Sequence, residues 1–230
     1  MKDLLTNLIE NEYLEKYPSF KEFCLYKEKG LRKKAFNSLH SFIEEAKHWD
    51  QNQKKDFVSW LFKVFEKSEN VHHILVHPLE ENLLKPFLKE WMSEESKDPL
   101  PFRWYGLFFN TENRMKYLEK ALEIGGKGEQ RVLLKMIDMY FYSLWYSFHH
   151  ISEDLYLGDV EEDKNILLKT EELCIDVKDV HSKKNVIETV DYYQNLLKDW
   201  IDFKSQDKEE FVKWCADNGK EYEWTDSYYY

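Results

Sequence analysis

The sequence predicts an all-α fold, an α-α superhelix or irregular array of antiparallel helical hairpins, on three observations. Gly and Pro number only 7 and 5 in 230 residues, too few for the turns that hairpin-rich β architecture needs every few positions. Hydrophobic residues make up 43% and aromatics 17%, enough to fill a core despite 33% charged residues, so the chain is expected to fold and not stay disordered. Apolar residues recur at helical spacing, most regularly in Val132, Leu133, Met136, Ile137, Tyr140, Phe141, Leu144, Trp145 and Phe148, where adjacent pairs return every four residues. That helix is expected at the centre of the core.

In chain order, Leu4, Leu5, Leu8, Ile9 and Tyr13 form the first stripe. The helix ends near Tyr17, because Pro18 disfavours helical geometry in the residue before it. Ser19 is the expected N-cap of a second helix running to Lys29, with Gly30 as its left-handed terminator, and a third helix covers 32–49. These two make a helical hairpin. Asp56 is the expected cap of a helix carrying Phe57, Val58, Leu61, Phe62 and Phe65. Pro78 and Pro86 suit a first helical turn and not a helix interior, so 71–95 is predicted as two or three short helices. Asp98-Pro99-Leu100-Pro101 marks a bend near 96–101. Neither side of it shows a composition shift or flexible linker, so 1–230 is read as a single helical domain.

Beyond the bend, helices are expected over 102–109 and 113–124, the latter closed by Gly125-Gly126. After the long helix, Gly158-Asp159 turns the chain into a helix with Val160, Leu167 and Leu168. Val186, Val190, Tyr193, Leu197 and Trp200 mark a long penultimate helix, and Phe211, Trp214 and Cys215 a short last one. Residues 219–230 form an aromatic, acidic tail that either folds back by aromatic packing or stays mobile as a docking segment.

The net charge of −11 opposes attraction to nucleic acid or anionic lipid, since phosphate binding is driven by cations that displace counterions, and it favours a basic protein partner. Lys27, Lys29, Arg32, Lys33 and Lys34 gather positive charge locally, as a solvated helix end does. Cys24, Cys174 and Cys215 are widely spaced and in no ligand-like pair, which predicts reduced thiols and neither a disulfide framework nor a zinc site. The start, Met1-Lys2-Asp3, leads into a polar-interrupted pattern without a signal-peptide core, and no segment reaches the ~18 apolar residues of a membrane span. A cytoplasmic protein is expected, with no membrane, nucleic acid, metal or cofactor as partner.

Tyr26, Gly30, Ala35 and Leu39 have the spacing of the aromatic, turn glycine, small residue and second-helix hydrophobe of the tetratricopeptide repeat, and this stretch resembles one. Gly158 and Leu167 repeat part of the pattern, with Asp163 where a small residue is expected, and 117–122 resembles the repeat's second helix. The resemblance covers about half the chain. It implies a helical-repeat architecture and protein or peptide binding. The wider arrangement, including Pro101-Phe102-Arg103-Trp104 and His149-His150, is similar to uncharacterised bacterial helical proteins, which implies no activity.

Candidate chemistry is sparse. His149 and Glu153, and His150 and Asp154, stand four apart, the spacing that shares a helix face, so imidazole and carboxylate could meet at a metal or orient a base. Adjacent histidines point about 100° apart and chelate one ion poorly, and histidines at a helix C-terminus complement its dipole, which is the favoured reading. His72, His73 and His77 form a second small cluster. Gly125-Gly126-Lys127-Gly128 lacks the strand before it and the Gly-Lys-Ser/Thr ending of a phosphate loop, and reads as a helix terminator. No Gly-x-Ser-x-Gly elbow is present.

Trp104, Tyr105, Phe108, Phe109, Tyr140, Tyr142, Trp145, Tyr146 and Phe148 exceed what one stripe buries, and Tyr142 and Tyr146 lie partly off the buried face. The expected function is recognition without catalysis. A protein or peptide partner, basic in character, is held by Arg103, Trp104, Tyr142, Tyr146, His149 and His150, in an immunity, antitoxin or regulatory protein. The alternative is a metal-dependent hydrolase built on the His/Glu cluster.

Overall fold

The computed structural model describes residues 4–68, 70–93, 97–206 and 208–224, and every regular element among them is helical. The chain divides into two compact units, Met1–Phe108 and Phe109–Tyr230. The division falls beyond the proline-rich bend, because the helix after it carries Trp104 and Phe108 back onto Phe62, with ring centroids 5.1 and 5.4 Å away.

The first unit opens with α1 (Leu4–Ile9) and a 3-10 turn (Glu12–Lys16). One continuous helix was expected here. Asn11 splits it, since its side-chain oxygen accepts the Tyr13 N–H at 3.0 Å and so competes with the helical pattern. Next come α2 (Pro18–Glu28) and α3 (Arg32–Ala46), joined through Gly30 at φ 69, the left-handed stop read from the sequence. Pro18 itself starts α2, and Ser19 is no cap: its hydroxyl donates to Glu45 Oε1 at 2.6 Å.

Helix α4 (Gln51–Phe65) is capped by Asp50, not Asp56. Asp50 Oδ1 accepts the Gln53 N–H at 2.8 Å and the Gln53 side chain accepts the Asp50 N–H at 3.0 Å, a reciprocal box that starts the helix a turn and a half early. Asp56 is instead interior to the helix and accepts the Tyr13 hydroxyl.

After a 3-10 turn (Val71–His73), helical backbone runs from His77–Leu79 through a π-type turn (Glu80–Leu84) into Lys85–Ser93, together α5. Pro86 was expected to break this segment. The wide turn accommodates it: Lys85 N–H reaches back five residues to Glu80 O, next to the position where proline has no donor. Helix α6 (Leu100–Phe108) closes the unit. Its core is aromatic, with Phe20, Phe42 and Phe57 wholly buried and their rings 4.8 to 5.3 Å apart. Each such ring contributes about 1.5–3 kcal/mol by leaving water.

The second unit holds α7 (Arg114–Gly125), a 3-10 turn (Gly126–Gly128), α8 (Gln130–Phe148), a second 3-10 turn (Ile151–Glu153), α9 (Val160–Ile175), α10 (Val180–Ser205) and α11 (Phe211–Asp217). Helix α9 packs on both α8 and α10. Leu133, Ile137, Leu144 and Phe148 of α8 meet Leu167 of α9 and Val190, Leu197, Trp200 and Phe203 of α10 in one core, which Phe211 and Trp214 of α11 complete. Asp159 caps α9 and Asp179 caps α10, each accepting first-turn backbone N–H groups. No helix among the described residues is long and apolar enough to cross a membrane.

Candidate functional site

The end of α8 carries a ledge of exposed rings. Its buried line runs through Leu133, Ile137, Leu144 and Phe148, and Tyr142, Trp145, Tyr146 and His149 fall beside that line at spacings of three and four. Tyr142 is 67% exposed and Tyr146 54%. Trp145, expected in the core stripe, is exposed as well, because at this end of the helix the neighbours cover only the face of Leu144 and Phe148. The rings support one another: Tyr142 stacks on Trp145 at 5.6 Å and Trp145 on His149 at 4.7 Å. His149 Nδ1 lies 2.7 Å from the Tyr146 carbonyl oxygen, an acceptor only, so Nδ1 carries the proton.

Of the expected four-residue pairs, His150 takes Glu153 in place of Asp154. The α-helix stops at Phe148 and the next residues wind as a 3-10 turn, so the register tightens to three and His150 Nδ1 meets Glu153 Oε1 at 3.1 Å. Asp154 swings away at φ 61 to receive the Glu210 and Phe211 N–H groups at 2.8 and 2.7 Å, which anchors the start of α11.

Beside the ledge, α10 and the chain after α11 build a groove. A small cavity of ≈ 50 Å³ between Trp145, His149, Tyr192, Tyr193 and Trp224 continues into an open groove of ≈ 850 Å³ whose walls include Tyr192, Tyr193, Tyr222, Glu188, Glu221 and Glu223. The wall formed by residues 220–224 is pinned by buried Asp199, which accepts the Tyr222 hydroxyl and lies 3.2 Å from Lys220 Nζ. Trp224 packs 5.9 Å from Phe211. The tail therefore folds back as far as it is described, and residues 225–230 lie outside the described residues. Burial pushes the Tyr193 phenol up to about 12 and raises Tyr192 and Tyr222 too. At neutral pH these side chains are protonated donors with flat apolar faces, not bases.

Arg103 and Trp104 lie in the first unit, while the other four expected binding residues share the second. Trp104 is a correction to the sequence reading: it is wholly buried, stacked on Phe62 at an interplanar angle of 9°, and its Nε1 donates to Glu66 Oε1 at 3.0 Å. It anchors α6 to α4 and offers a partner no surface. Arg103 Nη1 sits 3.6 Å from the same carboxylate oxygen. His72 and His73 are exposed on their 3-10 turn with rings 4.5 Å apart. Among the described residues no three His, Cys, Asp or Glu side chains form a group that could hold a metal ion.

Comparison with family models, curated proteins and solved structures finds no match.

Sequence reasoning missed Tyr192, Glu188, Glu221 and Glu223. Glu188 and Tyr192 are four apart on α10, a legible shared face. Nothing local shows that residues 220–224 return to that face. The signal lies in Asp199, a carboxylate buried in a helix whose other buried side chains are apolar, awaiting Lys220 and Tyr222.

Proposed function

We propose that the chain is a protein-binding module that takes a basic, extended segment of its partner along the ledge and groove of the second unit. The observation that carries this reading is the row of exposed rings at Tyr142, Trp145 and Tyr146 leading to a groove edged by Glu188, Glu221 and Glu223. Arginine or lysine side chains lie well over such ring faces, carboxylates at the rim pair with them, and the net charge of −11 steers a cationic partner toward the protein. Clustered aromatics of this kind dominate interface energies. In this role the α2–α3 hairpin and the α8–α9 hairpin around Gly158 serve as degenerate tetratricopeptide-type units, an architecture suited to peptide capture. An immunity or antitoxin protein neutralising a basic toxin is one form of it.

The test is titration calorimetry with lysine- and arginine-rich peptides and with their glutamate-substituted counterparts, on the wild type and on Tyr142→Ala/Tyr146→Ala. The basic peptides bind, salt weakens them, and the double variant loses at least about tenfold in affinity, roughly 1.4 kcal/mol. Because both rings are exposed, stability changes by no more than about 0.5 kcal/mol. Binding that survives the double substitution, or that ignores salt, refutes the assignment.

A further inference from the structure

The α9–α10 hairpin carries a second surface, distinct from the ledge and independent of the function proposed for it. Along its outer face the two helices leave a groove in two halves that meet at Leu168. One half, ≈ 430 Å³, is floored by Leu167, Leu197 and Ile201, and the other, ≈ 470 Å³, by Ile175, Ile187 and Val190. Leu168 is 56% exposed and Ile175 70%, and Ile187 and Ile201 are exposed as well. An aliphatic row of this length on one face marks an interaction site.

The charges around the row select what covers it. Lys164 and Lys198 flank the first half with Asp202. Glu171, Glu172 and Asp191 flank the second, and its one lysine, Lys183, is turned onto the Ile175 carbonyl at 2.8 Å. One end is thus lysine-rich and the other acidic. Lys164 also meets Glu161 at 2.7 Å, an exposed pair worth little and easily exchanged for a new carboxylate. A surface with apolar residues at its middle and opposite charges at its ends is complementary to itself when turned end for end. The net charge of −11 works against pairing of copies that lacks such matched charges.

We propose that this face pairs two copies of the chain about a two-fold axis near Leu168, with the grooves antiparallel. Ile201 and Leu197 of one copy then lie on Ile175 and Ile187 of its partner, and Lys164 and Lys198 face the partner's acidic end. A parallel pairing sets carboxylate against carboxylate. Two helices from each copy build a four-helix interface, and α9 alone, with 16 residues, gives it about 24 Å of length.

Sedimentation equilibrium of the full chain, over a range of protein concentration and salt, tests this. The wild type is a dimer, and Leu168→Glu and Ile175→Glu are each monomeric with unchanged helical circular dichroism, as expected for exposed positions. Lys198→Glu weakens association at least tenfold, and adding Glu172→Lys to the same chain restores it, which only the antiparallel arrangement allows. A wild type that stays monomeric to on the order of 100 µM, a dimer indifferent to both glutamate substitutions, or a swap that fails to restore pairing overturns the proposal. So does a monomer whose groove instead binds an amphipathic helical peptide.

Discussion

Asp154 offers the sharpest test of how the second unit is assembled. It lies 56 residues before Glu210, yet its carboxylate receives both the Glu210 and Phe211 N–H groups and so caps α11, a seven-residue helix without a side-chain cap of its own. Losing an N-cap carboxylate costs about 0.5–2 kcal/mol, and the two short charge-assisted bonds place this one toward the upper end. Asp154 also sits at φ 61, where alanine is strained by about 1 kcal/mol relative to glycine. The expected series is therefore about 2–3 kcal/mol for Asp154→Ala, about 1–2 for Asp154→Gly, and under about 1 for Asp154→Asn, which tolerates the left-handed backbone and keeps one acceptor. Urea unfolding followed by far-ultraviolet circular dichroism gives the energies, and amide exchange at Glu210 and Phe211 locates the loss. Phe211 supports Trp224, so peptide binding should weaken in the same order. Equal costs for alanine and glycine would refute the backbone strain, and an alanine variant within about 0.5 kcal/mol of wild type would refute the cap.

Three further outcomes follow from buried groups. A Cβ on Gly158 would lie 2.6 Å from Asp163 Oδ2 and nearer still to Ser147 Oγ, both buried side chains with no room to retreat; Gly158→Ala should cost about 2–4 kcal/mol by overpacking and loss of their hydrogen bond, part of it recovered in Gly158→Ala/Ser147→Ala. Burial raises the Asp163 carboxyl above its ordinary value, against the lowering effect of hydrogen bonds from Tyr156 at 2.7 Å and Ser147 at 3.1 Å. The folded state thus holds this proton more tightly than the unfolded one. The associated stability is present below about pH 4 and lost as pH rises through the raised value, so urea midpoints of wild type should fall relative to Asp163→Asn over that range; parallel profiles would contradict it. Burial pushes the Cys24 thiol up to about 12 and Cys215 to about 11, and raises Cys174, so a disulfide reagent at pH 8 should label none of the three stoichiometrically until urea is added; rapid native labelling of any of them would show an accessible thiolate.

The helical class, the α8 stripe and the turn at Gly30 were legible because each depends on neighbours within a few residues. Scarce glycine and proline, four-residue apolar returns and a single left-handed position are local properties, and backbone sterics and hydrogen bonding act on them directly. Helix starts were less legible. Asp50 and Asp56 are both acceptable caps, and the choice fell to Gln53, which can reciprocate only toward Asp50. Pro86 stays within a helix because the preceding turn widens, a distortion that packing stabilises and that local preference alone argues against.

For the site, the sequence by itself identified Tyr142 and Tyr146 as off the buried face and placed histidines at the end of α8. Only the tertiary structure decided that Trp145 is exposed while Trp104 is buried, since both occupy apolar positions on helices and their exposure depends on which element covers them. It alone joined Tyr192 and Glu188 to Glu221 and Glu223, through Asp199 holding the chain after α11, and it alone left Leu168, Ile175, Ile187 and Ile201 uncovered in a row. Periodicity states which residues share a face. What lies against that face is set by contacts between segments tens of residues apart, and a single sequence carries no local trace of those.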